Sequence, residues 1–247
     1  MCKKYTMNKS VVLFLYTKGY NIQKAFCNFV RSEFFLLYKL VGSVVRSLEM
    51  KQTERIRDYY LPKLKDEKSD SECLGWENKQ AQELRFKVLE RVIFTGASIL
   101  DVGCGLGNLY DYLNERGYNF EYTGIDILPE MIVRAKAKNA EPEFICGNLF
   151  KEDLFNGKKF DIVYASGIFN IELGNNDEFL RNALLKFISL SNKAVVFNLL
   201  HNRSKTKEAG YYYQTPETVQ KMLPQVKNVV FVDNYLDNDF STILEVL

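Results

Sequence analysis

The chain has 247 residues, 47% of them apolar and 26% charged, with a formal net charge of +2. This is a globular composition, and it excludes a disordered or collagen-like chain and argues against a dedicated nucleic-acid binder, which would carry a strongly basic face. The five cysteines are scattered without a C-x-x-C pair, and His201 is the single histidine, so neither a disulfide framework nor a metal centre is expected.

The small net charge conceals a split. Residues 1–49 hold eight basic and two acidic residues, a net of +6, which leaves −4 for the rest of the chain. Within this stretch Phe26, Val30, Phe34, Leu37, Val41, Val44 and Leu48 recur every three or four positions, as on one face of a helix. A basic amphipathic helix over 25–48 suits packing on the main domain, or contact with an anionic membrane surface or a partner. No run reaches the roughly 18 apolar residues that a membrane span needs, and no signal-peptide cleavage pattern follows. The expected location is cytoplasmic. Residues 1–49 are therefore taken as a helical extension, 50–77 as a polar lead-in and linker, and 78–247 as the main domain.

From residue 78 the pattern becomes regular. A helix is expected over 78–93, then strands near 98–102, 120–126, 142–146, 160–165, 193–199, 228–235 and 240–246, with helices near 106–116, 129–138, 176–190 and 215–223. Pro129 and Pro216 fall at first-turn positions. Strands alternating with helices imply an α/β fold with a three-layer, mostly parallel sheet, and the last two strands form an antiparallel hairpin through 234–239.

The chemistry concentrates where the first strand ends. Residues 98–113 read SILDVGCGLGNLYDYL, a buried strand running into Gly103-x-Gly105-x-Gly107 and then a helix. Glycines there allow a tight turn and let a ligand approach the backbone. A dinucleotide loop needs its third glycine at 108, which is Asn, and no G-K-[ST] of a P-loop follows. Asp126 ends the second strand, 23 residues after Gly103, where a carboxylate can accept from both hydroxyls of a ribose.

Residues 98–131 resemble the motifs of the class I S-adenosylmethionine (SAM) dependent methyltransferases, and the strand pattern to 247 is similar to that family's seven-stranded, Rossmann-like sheet. The resemblance implies SAM as cofactor, with S-adenosylhomocysteine (SAH) as product. It also implies that Gly103 and Gly105 meet the methionine part through backbone, that Asp126 holds the ribose, and that Ile127 packs on the adenine. Asn148 stands where the family usually has an acid for the adenine amino group, and Leu149 offers its backbone N–H to the ring. Upstream, Arg85 is the candidate for the SAM carboxylate, because a planar guanidinium fork matches it bidentately; Trp76 and Gln82 are candidates for the lid. His201, at the carboxyl end of the fifth strand, is the candidate general base. A basic stretch (Arg203, Lys205, Lys207) and Tyr211–Tyr213 follow it.

The acceptor is expected to be a small molecule, more readily methylated on oxygen than on nitrogen. The chain lacks the Asn-Pro-Pro-Tyr pattern of amino-methyltransferases after its fourth strand. At family level the resemblance extends to enzymes of bacterial capsule and surface-polysaccharide pathways, which methylate sugar or phosphoramidate groups. The competing expectations are an rRNA methyltransferase, an NAD(P)-linked oxidoreductase, and a non-catalytic partner subunit of the same fold. The sequence leaves the oligomeric state open.

Overall fold

The computed structural model describes residues 50–64 and 69–246. The amphipathic stripe over 25–48 lies outside the described residues.

The described chain opens on a helix over 50–64 (α1), followed by α2 (Asp70–Cys73), α3 (Lys79–Leu89), β1 (Ala97–Val102), α4 (Asn108–Glu115), β2 (Phe120–Asp126) and α5 (Pro129–Lys138). After these come β3 (Glu143–Cys146), β4 (Phe160–Ala165), α6 (Asn176–Leu190), β5 (Ser191–His201), β6 (Tyr213–Gln214), α7 (Pro216–Met222), β7 (Asn228–Val232) and β8 (Asp239–Glu245). One sheet runs β3-β2-β1-β4-β5-β8-β7, with β6 added beside the end of β5. The pairs from β3 through β5 are parallel, and β8 is antiparallel to both β5 and β7. The α/β class and the closing hairpin are as the sequence implied. The sheet has eight strands because two residues, Tyr213 and Gln214, pair with Leu200 and His201. Two residues carry no readable alternation.

Strand alternation sends side chains to two cores. Leu100, Val102, Val163, Ala165, Val195 and Phe197 join Leu184 and Phe187 of α6 on one face. Ile99, Ile162, Tyr164 and Val196 join Phe86, Leu113 and Ile132 of α3, α4 and α5 on the other. Pro129 and Pro216 each sit in the first turn of their helices, where a missing N–H removes no intrahelical bond.

A third apolar cluster decides how the site is covered. Leu64 and Cys73 pack with Leu106 of the glycine loop and with Leu128 and Met131, and Ile56, Tyr60, Leu61, Leu74 and Ile127 lie against them. The lead-in read from sequence as a linker is therefore in part a helix: from Thr53 onward, α1 is a roof over the carboxyl ends of β1 and β2. Its charged residues masked the apolar stripe of Ile56, Tyr60, Leu61 and Leu64.

Candidate active site

The glycine loop leaves β1 with three left-handed residues, Gly103, Gly105 and Gly107, at φ of 75°, 54° and 78°. Side chains are excluded by more than conformation. A Cβ at Gly103 would lie 2.3 Å from Ile168, and one at Gly105 would lie 2.8 Å from Leu74. Asp126 ties this loop to the end of β2: its Oδ2 accepts from the Gly105 N–H at 3.0 Å and its Oδ1 from the Leu128 N–H at 2.9 Å. Burial pushes the Asp126 carboxyl up to about 6, although the N–H groups of Leu128, Gly105 and Ile127 favour its charged form.

A second carboxylate belongs to the site, one that the sequence showed only as a charge in the apolar run SILDV. Asp101 of β1 is 3% exposed and accepts the Tyr122 hydroxyl at 2.6 Å. Burial pushes it up to about 7, with the Tyr122 hydrogen bond pulling it down. Ile127 lies at the edge of the roofing cluster. Past β3, Asn148 is half-buried and its Oδ1 accepts from the Phe150 N–H at 3.0 Å, as a turn residue does. Leu149 is buried in the core on the α6 side.

Three upstream candidates take different positions. Arg85 is 3% exposed, and its Nε and one terminal nitrogen hold Asp239 Oδ2 at 2.9 and 2.8 Å. The other terminal nitrogen donates to the Ala81 carbonyl. The fork expected at a cofactor carboxylate is paired here with a carboxylate of β8, 154 positions away in sequence. Trp76 lies 4.3 Å from the Arg85 guanidinium carbon and against Gly167, the second residue past β4. Gln82 is buried on α3.

His201, the candidate base, has a different set of neighbours. It points to the α6–α7 face, with its ring 5.2 Å from Phe240, and its Nδ1 accepts from the Arg203 N–H at 3.1 Å. Burial and then the Arg203 charge lower its pKa, while Asp233 and Glu217 oppose them. None of these neighbours belongs to the glycine loop or to the Asp126 shoulder. β5 continues to His201, four residues past Phe197, the partner of the last residue of β4. The basic stretch is partly structural too, because Arg203 is pinned to Asp233 and to the carbonyls of Leu236 and Asp237.

The tyrosine cluster forms a wall. The Tyr211 hydroxyl bonds the Tyr59 hydroxyl of α1 at 2.7 Å, Tyr212 bonds Asp177, and the Tyr213 hydroxyl accepts from the Glu208 N–H. Ile171 and Tyr211 pair as an isolated bridge, which joins this wall to the loop after β4. On that loop Asn170 presents a buried Oδ1 that has no hydrogen-bond partner. Tyr60, beside them on α1, has its pKa raised by burial, then by Tyr59 and by the Asp126 carboxylate. Among the described residues no cluster of metal-binding side chains occurs and no helix is long and apolar enough to cross a membrane.

A parallel sheet that reverses between β1 and β4, with a glycine loop on one side of the reversal and an acid closing the next strand, defines a nucleotide-cofactor enzyme of the Rossmann-like type. Residues 99–185 match the family model described as a methyltransferase domain. The Mycobacterium tuberculosis protein Rv1506c, designated a methyltransferase, is 35% identical over 125 residues, which span 47% of this chain and 72% of the relative. The malonyl-[acyl-carrier protein] O-methyltransferase of Anoxybacillus flavithermus is 26% identical over 90 residues, 36% of this chain and 34% of that one. In structure, the Synechocystis magnesium protoporphyrin IX methyltransferase, solved with bound SAM, superposes with a TM-score of 0.57 at 16% identity, covering 80% of this chain and 97% of that one. The chain belongs to the class I SAM-dependent methyltransferases, and its cofactor is SAM.

The residues present fit that cofactor. The loop offers backbone in place of side chains at Gly103 and Gly105, and Asp126 keeps acceptor capacity beyond the N–H groups it already holds.

Proposed function

We propose that the protein transfers a methyl group from SAM to an oxygen of a small molecule, and that the acceptor enters between the loop after β4 and the Tyr59–Tyr211 wall. The observation that carries this reading is the roof. From Thr53, α1 lies across the glycine loop through Leu64 and Leu106, and it reaches the acceptor side through the Tyr59–Tyr211 bond and an Arg55 contact to the Glu172 carbonyl. A cleft covered in this way suits a compact acceptor and opposes a nucleic-acid strand, which would need an open basic groove. The O-methyltransferase name of one relative, and the absence of Asn-Pro-Pro-Tyr after β4, support oxygen over nitrogen.

Bound SAM supplies an electrophilic methyl group on a sulfonium. The chain's own task is proximity and alignment. In this reading Gly103 and Gly105 meet the methionine part through backbone, Asp126 accepts from the ribose, Ile127 packs on the adenine, and Leu149 presents backbone beside the ring. Asn148 Oδ1 closes a turn through the Phe150 N–H and keeps a second lone pair to accept from the adenine amino group. Asn170 Oδ1 accepts from an acceptor hydroxyl, and Trp76 and Tyr59 exclude water. As the carbon–oxygen bond forms and the carbon–sulfur bond breaks, the acceptor's proton leaves to water at the acceptor entrance; in this reading His201, whose neighbours lie apart from the glycine loop and Asp126, does not take it.

The test is transfer of radiolabelled methyl from SAM in a panel of sugar nucleotides, phenols, hydroxylated carboxylic acids and total RNA. Label in a hydroxylated small molecule is the expected result. Label confined to RNA would overturn the reading.

A further inference from the structure

Five residues that are far apart in sequence close into a ring at the acceptor-side rim. The Gly167 N–H donates to Asn198 Oδ1 at 2.9 Å, and Asn198 Nδ2 donates to Asp239 Oδ2 at 2.8 Å. The same Asp239 oxygen holds Arg85, and Arg85 lies over the Trp76 ring. Trp76 returns to the start: a Cβ at Gly167 would lie 2.9 Å from its Cη2. Asp239 Oδ1 meanwhile accepts the Tyr235 hydroxyl, which also bonds Ser241 at 2.7 Å. Asn198 and Asp239 are 2% and 0% exposed, so neither has water as an alternative partner.

The ring sits between the two halves of the cleft. Gly167 is left-handed, at φ 83°, and the residue it delivers, Ile168, is the one that presses on Gly103. We propose that Asn198 and Asp239 are positioning residues of the methyltransferase site: by holding the Gly167 amide, with Arg85 and Trp76 completing the clasp, they set Ile168 against the cofactor loop and fix the wall that the acceptor meets. Neither residue touches cofactor or acceptor. The proposal rests on the assignment of the glycine loop to SAM.

Trp76 is the single tryptophan of the chain and stands inside the ring, so its emission reports on the clasp directly. The experiment measures SAH binding by calorimetry and by Trp76 emission in the native protein, in Asn198→Leu, which keeps the branched side-chain shape and removes both hydrogen bonds, and in Asp239→Asn. The control is Phe160→Leu, which loosens the core at the amino end of β4, the end away from Gly167 and Ile168. The expected result is that SAH changes Trp76 emission in the native protein, and that both ring variants lose this response and bind SAH roughly tenfold more weakly. The control, at a comparable fall in Tm, keeps both properties. Ring variants with native affinity and native response would overturn the clasp, as would a control that weakens SAH equally. If neither ring variant folds, Tyr235→Phe, which removes one hydrogen bond to Asp239 and nearly keeps volume, takes their place: SAH bound several-fold more weakly by the folded variant supports the clasp, and native affinity overturns it. Native protein that takes up no SAH removes the cofactor-site assignment itself, and the clasp with it.

Discussion

The half of the site that holds the glycine loop and the half proposed for the acceptor are built from different kinds of contact. On the cofactor side the decisive bonds, Gly105 to Asp126 and Tyr122 to Asp101, each join residues 21 apart in sequence, across one strand–helix–strand unit. On the acceptor side they join Tyr59 to Tyr211, 152 apart, and Arg85 to Asp239, 154 apart. The first half is a local motif that any chain with this spacing can form early. The second exists only once the sheet has brought β8 beside β5 and α1 over the loops. A motif shared across a family therefore identifies the cofactor, and the long-range half sets what is particular to this chain.

The sharpest break of that contrast is Gly103→Val. A Cβ there meets Ile168 while φ is held at 75°, so loop geometry and the contact with the acceptor half fail together. SAH affinity is expected to fall by about 100-fold, equivalent to about 2.7 kcal/mol. Calorimetry checks it, and retained micromolar binding would show that the loop yields. Next, Asp239→Ala strips a buried arginine of its partner and should destabilise the protein by about 3–5 kcal/mol. Urea denaturation measures it, and a loss below about 1 kcal/mol would show that Arg85 finds another partner.

A smaller effect comes from pH. Asp126 and Asp101 titrate at about 6 and about 7 in the folded protein, above the roughly 3.9 of a free aspartate. Between pH about 4 and 7 the folded state therefore holds more protons than the unfolded chain, so the contribution of these carboxyls to stability is present below pH 4 and is lost as pH rises through 6 and 7. Cofactor binding runs the other way. The ionised Asp126 is the better acceptor, so SAH affinity is expected to fall several-fold from pH 7.5 to 5.5, and Asp126→Asn should flatten that slope. An unchanged slope in the variant would move the titration to Asp101.

The smallest expected effect is at His201. Its Nδ1 holds a loop N–H and its ring packs on Phe240, so His201→Gln should cost about 1 kcal/mol and leave SAH binding and methyl transfer within about twofold of native. A collapse of transfer with binding intact would return the histidine to the chemistry and shift the acceptor side toward α7.

The contrast also explains what could be read in advance. Strand and helix positions from 97 onward followed from apolar periodicity and from Pro129 and Pro216, because both are signals within a single element. Gly103, Gly105 and Asp126 were legible because their spacing carries their geometry. The partner of Arg85 was not legible, because Asp239 opens a strand at the far end of the chain, where nothing local marks it as buried. The neighbours of His201 were not legible, because only pairing shows that β5 outruns β4. α1 was hidden by its charges, which spoil a four-residue apolar stripe until Leu106 and Met131 are placed beneath it.

By itself, then, the sequence determined the alternating α/β order, the glycine loop and the acid that closes β2, since each depends on residue type at short separation. The tertiary structure alone decided where the buried charges find partners, which helix covers the cleft and on which face the histidine stands. Those outcomes depend on desolvation and on contacts between residues more than 100 positions apart, and such contacts exist only in the assembled sheet.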